Sequence, residues 1–191
     1  MSYTLIQLPF AIPFREMSKK QLDAYLVWFH QVLPGRIAEL AQAIRGTPSY
    51  ESWEADGTVE SLDVLGRWFE TQVETRKQTA EELEEVRAQL AFSIDIAEDE
   101  LTHKTFSLSI DIGLYFSQVM VKNLASLRWD QPRKDRRDAD YGQPVLVGFA
   151  WGPLNPVRVI VATARKIADR DPARLRELFN VWAENWAPRS I

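Results

Sequence analysis

The 191-residue chain contains no cysteine. That absence excludes disulfides, thiolate nucleophiles and cysteine-based zinc or iron–sulfur sites. It suits a reducing compartment. Histidine occurs only as His30 and His103. Neither sits in a recognisable triad context, and no G-x-S-x-G elbow presents a serine nucleophile. The eight glycines form neither a G-x-G-x-x-G turn nor a P-loop, so the backbone cradles that hold phosphates are missing. No apolar run approaches the roughly 18 residues of a membrane span. The segment MSYTLIQLPFAIPF is apolar but lacks a basic flank and a long hydrophobic run, and Pro9 and Pro13 interrupt it. It reads as a mature N-terminus and not a signal peptide.

What is present is a hydrophobic content of 46% with seven tryptophans. That is enough for one domain over residues 1–191 to bury a sizeable core. Helical periodicity dominates. Ser18 and Gln21 have capping-box spacing, and Leu22, Tyr25, Leu26, Phe29, Val32 and Leu33 follow at helical intervals. Pro34 is expected to break or restart that helix, and Gly46 to stop it. Thr58 is expected to cap a second helix whose stripe is Val59, Leu62, Leu65, Trp68, Phe69 and Val73. Gly66 within it marks a close approach of another element. Thr79 and Glu82 form a second capping box, opening a helix to about Leu90. Ala91–Asp95 is ambiguous between strand and turn. Residues 98–123 read as a helix apolar over most of its circumference, and hence central. Leu127–Trp129 and Pro144–Phe149 are expected to pair as short antiparallel strands. Asn155-Pro156 and Asp171-Pro172 each begin a helix with proline in its first turn. The predicted fold is therefore mainly α, a single-domain helical bundle with a small two-stranded β-hairpin insert at about 127–150.

Charge is distributed unevenly. Residues 51–100 hold fifteen acidic and four basic side chains, whereas residues 101–191 hold nine acidic and fourteen basic. The two regions either neutralise each other within the fold or leave an acidic face for a basic partner. The candidate face comprises Glu81, Glu82, Glu85, Glu98 and Asp99. Glu81 and Glu82 also suit the positive end of a helix dipole. The loop from Arg128 to Asp140 carries five cations, but Asp130, Asp135, Asp138 and Asp140 nearly cancel them. Nucleic acid binding needs an uncancelled positive field, so none is expected.

Asp99 and His103 have the spacing of one helical face, with Asp95, Glu98 and Glu100 nearby. The calcium-loop spacing is absent, and an acidic helix start is the simpler reading, so no metal or other cofactor is expected. A carboxylate in an apolar helix must be paired, hydrogen-bonded or neutral. Asp111 is the clearest case and Asp63 a second, with Arg67, Arg128 or Arg158 as prospective partners. An ion pair that serves the fold accounts for them. The functional alternative is a pocket between the central helix and the hairpin, built from Asp111, Tyr115, Trp129, Tyr141 and Arg158, for an enzyme or a small-ligand binder. Trp129 and Trp151 flank the hairpin and serve either as lids on the core or as contact surface. A third possibility is a structural subunit that oligomerises through exposed aromatics.

The segments SLDVLGRWF (61–69), FSLSIDIGLYFSQVMVKN (106–123), LRWDQP (127–132), YGQPVLVGF (141–149) and NPVRV (155–159) resemble a family of small bacterial proteins of unknown function. Their order also looks like that of immunity proteins from polymorphic toxin systems. The resemblance spans about two thirds of the chain and supplies no catalytic residues. It implies a cytoplasmic protein that works by binding, with a basic protein toxin as partner and no membrane. The acidic block or the 129–151 insert would then be the interface.

Overall fold

The computed structural model describes residues 3–89 and 98–186. Among them the chain is mainly helical, with two small two-stranded antiparallel sheets. The helices are α1 (Lys19–Arg45), α2 (Ser61–Gln72), α3 (Ala80–Gln89), α4 (His103–Asn123), α5 (Pro156–Ala168) and α6 (Leu175–Glu184). The strands are β1 (Thr75–Lys77), β2 (Asp99–Leu101), β3 (Arg128–Asp130) and β4 (Val145–Val147).

Helix α4 is the centre. Fourteen of its 21 residues are buried, as expected for a helix apolar nearly all round. Its polar residues survive burial because each has a partner: Ser109 donates to the Thr105 carbonyl at 2.7 Å and Ser117 to the Leu114 carbonyl at 2.6 Å. It packs against α5 and α1, while α2 packs against α6. Gly113 makes the α4–α5 approach possible, since a β-carbon there would stand 3.0 Å from Val157 Cα. Gly66 plays the same part in α2, although what approaches it is the turn before α6: a β-carbon would lie 2.4 Å from the Ala173 carbonyl oxygen.

Local signals fix most of the helix starts. The Ser18/Gln21 capping box forms with both hydrogen bonds, as does that of Thr79 and Glu82. Asn155 caps α5, with Pro156 in its first turn. Other boundaries differ from those expected. Helix α1 runs unbroken through Pro34. The buried stripe continues on both sides of it, with Phe29 before and Ile37, Leu40 and Ile44 after, and this packing outweighs the lost N–H bond. Gly46 does stop α1 as its C-cap, in right-handed geometry (φ −75°). Helix α2 begins at Ser61, although the Thr58 hydroxyl does accept from the Ser61 amide at 3.3 Å. Helix α6 begins at Leu175, not at Pro172, and the intervening Ala173 amide is taken by the Glu70 carboxylate at 2.6 Å.

The largest change is at Glu98–Leu101. These residues are not the first turn of α4. Asp99–Leu101 is strand β2, paired with β1 in the register Thr75↔Leu101, Arg76↔Glu100 and Lys77↔Asp99. Thr102 caps α4 instead. Asp99 and His103 therefore share no helical face. Leu90 and Ala91–Asp95 lie outside the described residues. The predicted hairpin is present as β3 and β4, with Arg128↔Val147, Trp129↔Leu146 and Asp130↔Val145 paired. Its inner strand is buried at Val145 and Leu146, and the Leu146 N–H and C=O both bond Leu154 on the side away from β3.

Candidate functional site

The acidic candidates gather on one excursion of the chain, β1–α3–β2, between α2 and α4. All three residues of β1 are exposed, so this strand contributes nothing to the core. Residues 75–101 hold eight carboxylates against three cations. Glu81, Glu85, Glu98 and Asp99 are exposed and Glu82 is half-buried. Arg76 organises the base of the arm. It donates twice to Glu82, at 2.7 and 3.1 Å, and pairs with Glu100 across the sheet. The Arg76 hydrogen bonds, helped by the Thr79 amide, hold the Glu82 carboxyl down at about 2. Lys77 lies 3.7 Å from Glu98, both widely exposed, a pair worth little in water.

The residues expected to line a pocket are dispersed. Asp111 is fully buried and faces α1 and the N-terminal segment, not the hairpin. Its partner is Arg36, not Arg67, Arg128 or Arg158. The guanidinium donates to both carboxylate oxygens, at 2.9 and 2.6 Å. The Tyr3 hydroxyl donates a third hydrogen bond at 2.5 Å. Arg36 also reaches the Thr4 carbonyl at 2.9 Å, and Ser107 accepts the Ile6 amide at 2.8 Å. Together these contacts tie the N-terminal segment to α1 and α4. Burial pushes the Asp111 carboxyl above the usual carboxylate range, against the pull of Arg36 and Tyr3. Burial works to lower Arg36, but the hydrogen bond and charge of Asp111 outweigh it and hold the guanidinium above its ordinary value. Asp63 pairs with Arg176 at 2.8 Å.

Tyr115 is buried on the α2 side, 2.6 Å from the Ser61 hydroxyl and accepting the Gly57 amide at 3.1 Å. Burial pushes its phenol up. Tyr141 is buried in the hairpin loop under Arg136. Arg158 is exposed on α5 and pairs with Asp140 at 3.1 Å. Asp111, Tyr115, Tyr141 and Arg158 therefore form no common site, and each is engaged in holding two segments together. In the hairpin loop Arg133 reaches Asp23 of α1 at 2.5 Å, whereas the widely exposed Arg137 lies 3.3 Å from its near neighbour Asp135.

A cleft does lie between α4 and the hairpin, on another face of α4. Of the five expected residues only Trp129 lines it. Trp129 packs edge-on against Phe29 of α1, with ring centroids 4.8 Å apart. Helix α4 contributes Phe106, Ile110 and Leu114, and the N-terminal segment contributes Ile6 and Leu8. In the sequence these residues look like ordinary core stripe. Their one distinguishing mark is Phe106, an aromatic near the start of an otherwise buried helix that stays 44% exposed.

Among the described residues no cluster of histidine, aspartate and glutamate is arranged to hold a metal ion. None of the helices among them is long and apolar enough to cross a membrane. Trp151 is 66% exposed, with Trp182 beside it at 6.3 Å between centroids.

No protein-family model matches the chain, and neither a curated protein nor a solved structure is significantly similar to it. The reading of function therefore rests on the geometry of this chain and on the order of its sequence segments.

Proposed function

We propose that this protein acts by binding a basic protein, with the β1–α3–β2 arm as its interface, and that the partner is a toxin which it neutralises. The observation that carries this reading is the arm. Its charge is strongly negative, its first strand is exposed on both faces, and Glu81, Glu85, Glu98 and Asp99 stand in solvent. A field of one sign on an exposed element accelerates encounter with an oppositely charged protein and disfavours acidic competitors. The polar groups of the helices support the same division of labour. Asp111, Tyr115 and Asp63 spend their hydrogen-bonding capacity on the fold, whereas Glu81, Glu85 and Asp99 face solvent.

The nuclease toxins that immunity proteins block are basic at their active faces, and the segment order of this chain is similar to such inhibitors. The reading is tested by sequencing the genes that flank this one and, where one encodes a toxin, expressing its toxin domain with this protein. Co-expression should restore growth, and the two proteins should form a complex. Reversing the arm with Glu81→Lys, Glu85→Lys, Glu98→Lys and Asp99→Lys should slow association by about tenfold or more while the circular dichroism spectrum is unchanged. Undiminished association of the reversed protein would refute the arm as interface.

A further inference from the structure

The cleft between the N-terminal segment, α1, α4 and the hairpin has a composition and a closure that the acidic arm does not explain. From it we infer a binding site for a small, neutral, ring-bearing apolar molecule, seated between Trp28, Phe29 and Trp129 on one side and Ile110 and Leu114 on the other.

Three observations point there. The first is the absence of charge. No ionisable acid, lysine, arginine or histidine side chain lines the cleft. Its amide side chains are already paired: Asn155 donates to Gln143 at 3.0 Å and to Asp140 at 2.8 Å, and Gln143 donates to the Ala139 carbonyl at 2.9 Å. A charged ligand entering here would lose hydration with nothing to replace it. The second is the wall. Phe14–Tyr25, Tyr25–Trp28 and Phe29–Trp129 are tilted or edge-on pairs with centroids 4.7, 5.1 and 4.8 Å apart. Edge and face contacts of this kind suit another ring. The third is size. The space is about 130 Å³, close to the roughly 150 Å³ of an apolar cavity that stays dry and takes up benzene.

The N-terminal segment provides the entry. It is anchored at one end by Tyr3, Thr4 and Ile6, which bond Asp111, Glu39 and Ser107. At the other it is anchored by the turn at Phe14–Glu16. Between them, among the described residues, the stretch 7–12 makes no hydrogen bond to the body of the protein. Leu8 lines the cleft yet is 50% exposed, as Phe106 is at 44%. These two side chains therefore form the rim where a ligand passes, under a strap that yields without breaking backbone hydrogen bonds.

The test is calorimetric titration of the full chain with toluene, indole and benzoate, each followed by saturation-transfer NMR. Toluene and indole should bind saturably at one site, and benzoate should not. Ile110→Trp should fill the site and abolish binding. Leu8→Ala, at an exposed position that leaves the core intact, should weaken toluene by about fivefold, and it decides the matter if Ile110→Trp does not fold. Absence of saturable toluene and indole binding to the folded wild type would overturn the proposal. So would equal binding of benzoate, or toluene binding unchanged by Leu8→Ala. The acidic-arm reading is untouched by any of these results, because none involves the arm.

Discussion

Arg36 and Asp111 show how single residues divide the work of this protein. Each interrupts an apolar stripe, Arg36 between Leu33 and Ile37 on α1 and Asp111 between Leu108 and Ile112 on α4. Where those stripes meet, the two charges and the Tyr3 hydroxyl form one hydrogen-bonded group. Removing one partner of a buried pair leaves the other uncompensated, so Arg36→Ala should cost about 3–5 kcal/mol in urea denaturation. The sign of its pH dependence follows from Asp111. Without Arg36 the buried carboxyl moves further above its unfolded value, and such a group favours the fold when protonated. The deficit should therefore shrink as pH falls towards about 4 and widen as pH rises. A deficit independent of pH would remove Asp111 as its cause. Glu82 offers the opposite case on the arm. Held at about 2 by Arg76, it supports the arm at neutral pH and loses that contribution as pH falls from its ordinary 4.5 towards 2. Its carboxyl resonance should titrate near 2 in the wild type and rise towards 4.5 in Arg76→Ala, stopping short of it because the Thr79 amide still donates to the carboxylate. In the sequence Asp111 reads as a buried carboxylate requiring a partner. Arg36 was missed as that partner, although a cation at stripe spacing in one helix and an anion at stripe spacing in another is a readable signal.

At the scale of elements, two glycines inside helices make opposite predictions. A β-carbon at Gly35 of α1 would meet nothing within 4 Å, whereas at Gly66 of α2 it would stand 2.4 Å from the Ala173 carbonyl. Gly35→Ala should thus raise stability by about 0.5–1 kcal/mol through helix propensity. Gly66→Ala should lower it by about 1–3 kcal/mol through overpacking. Thermal denaturation of the two variants gives the comparison, and a stabilised Gly66→Ala would contradict the close approach of the α5–α6 turn. Elements with local signals were legible: two capping boxes, the Asn-Pro start of α5 and the apolar girth of α4. Those decided by distant contacts were not. Asp99–Leu101 has no strand pattern of its own and becomes β2 because β1, more than twenty residues earlier, offers it an edge. Pro34 reads as a break, and only the stripe packed on both sides of it keeps α1 whole. The cleft was expected beside Asp111 and Tyr115. It opens instead beside Phe106, Ile110 and Leu114, because a helix buried nearly all round gives no sign of which side meets the hairpin.

At the scale of the molecule, the acidic excess of residues 51–100 is only partly neutralised by the basic C-terminal half. Arg176 pairs with Glu60 and Asp63 of the α2 region, while on the arm the described ion pairs involve Arg76 and Lys77 of the arm itself. The excess charge is thus concentrated on the arm, where β1 and the carboxylates of Glu81, Glu85, Glu98 and Asp99 are exposed and, among the described residues, only Leu101 packs against the core. Association through such a surface weakens with salt, because exposed charges are screened beyond about 10 Å at 0.1 M. The rate of complex formation should accordingly fall with ionic strength more steeply than the dissociation rate rises. Amide hydrogen exchange of the protein, alone and with a basic protein captured from its native cell, tests the central claim most directly. The arm as interface predicts new protection across Thr75–Lys77, Ala80–Gln89 and Asp99–Leu101, with the β3–β4 hairpin and the Trp151 surface unchanged. Protection gained at the hairpin or around Trp151, with the arm exchanging as before, would contradict it.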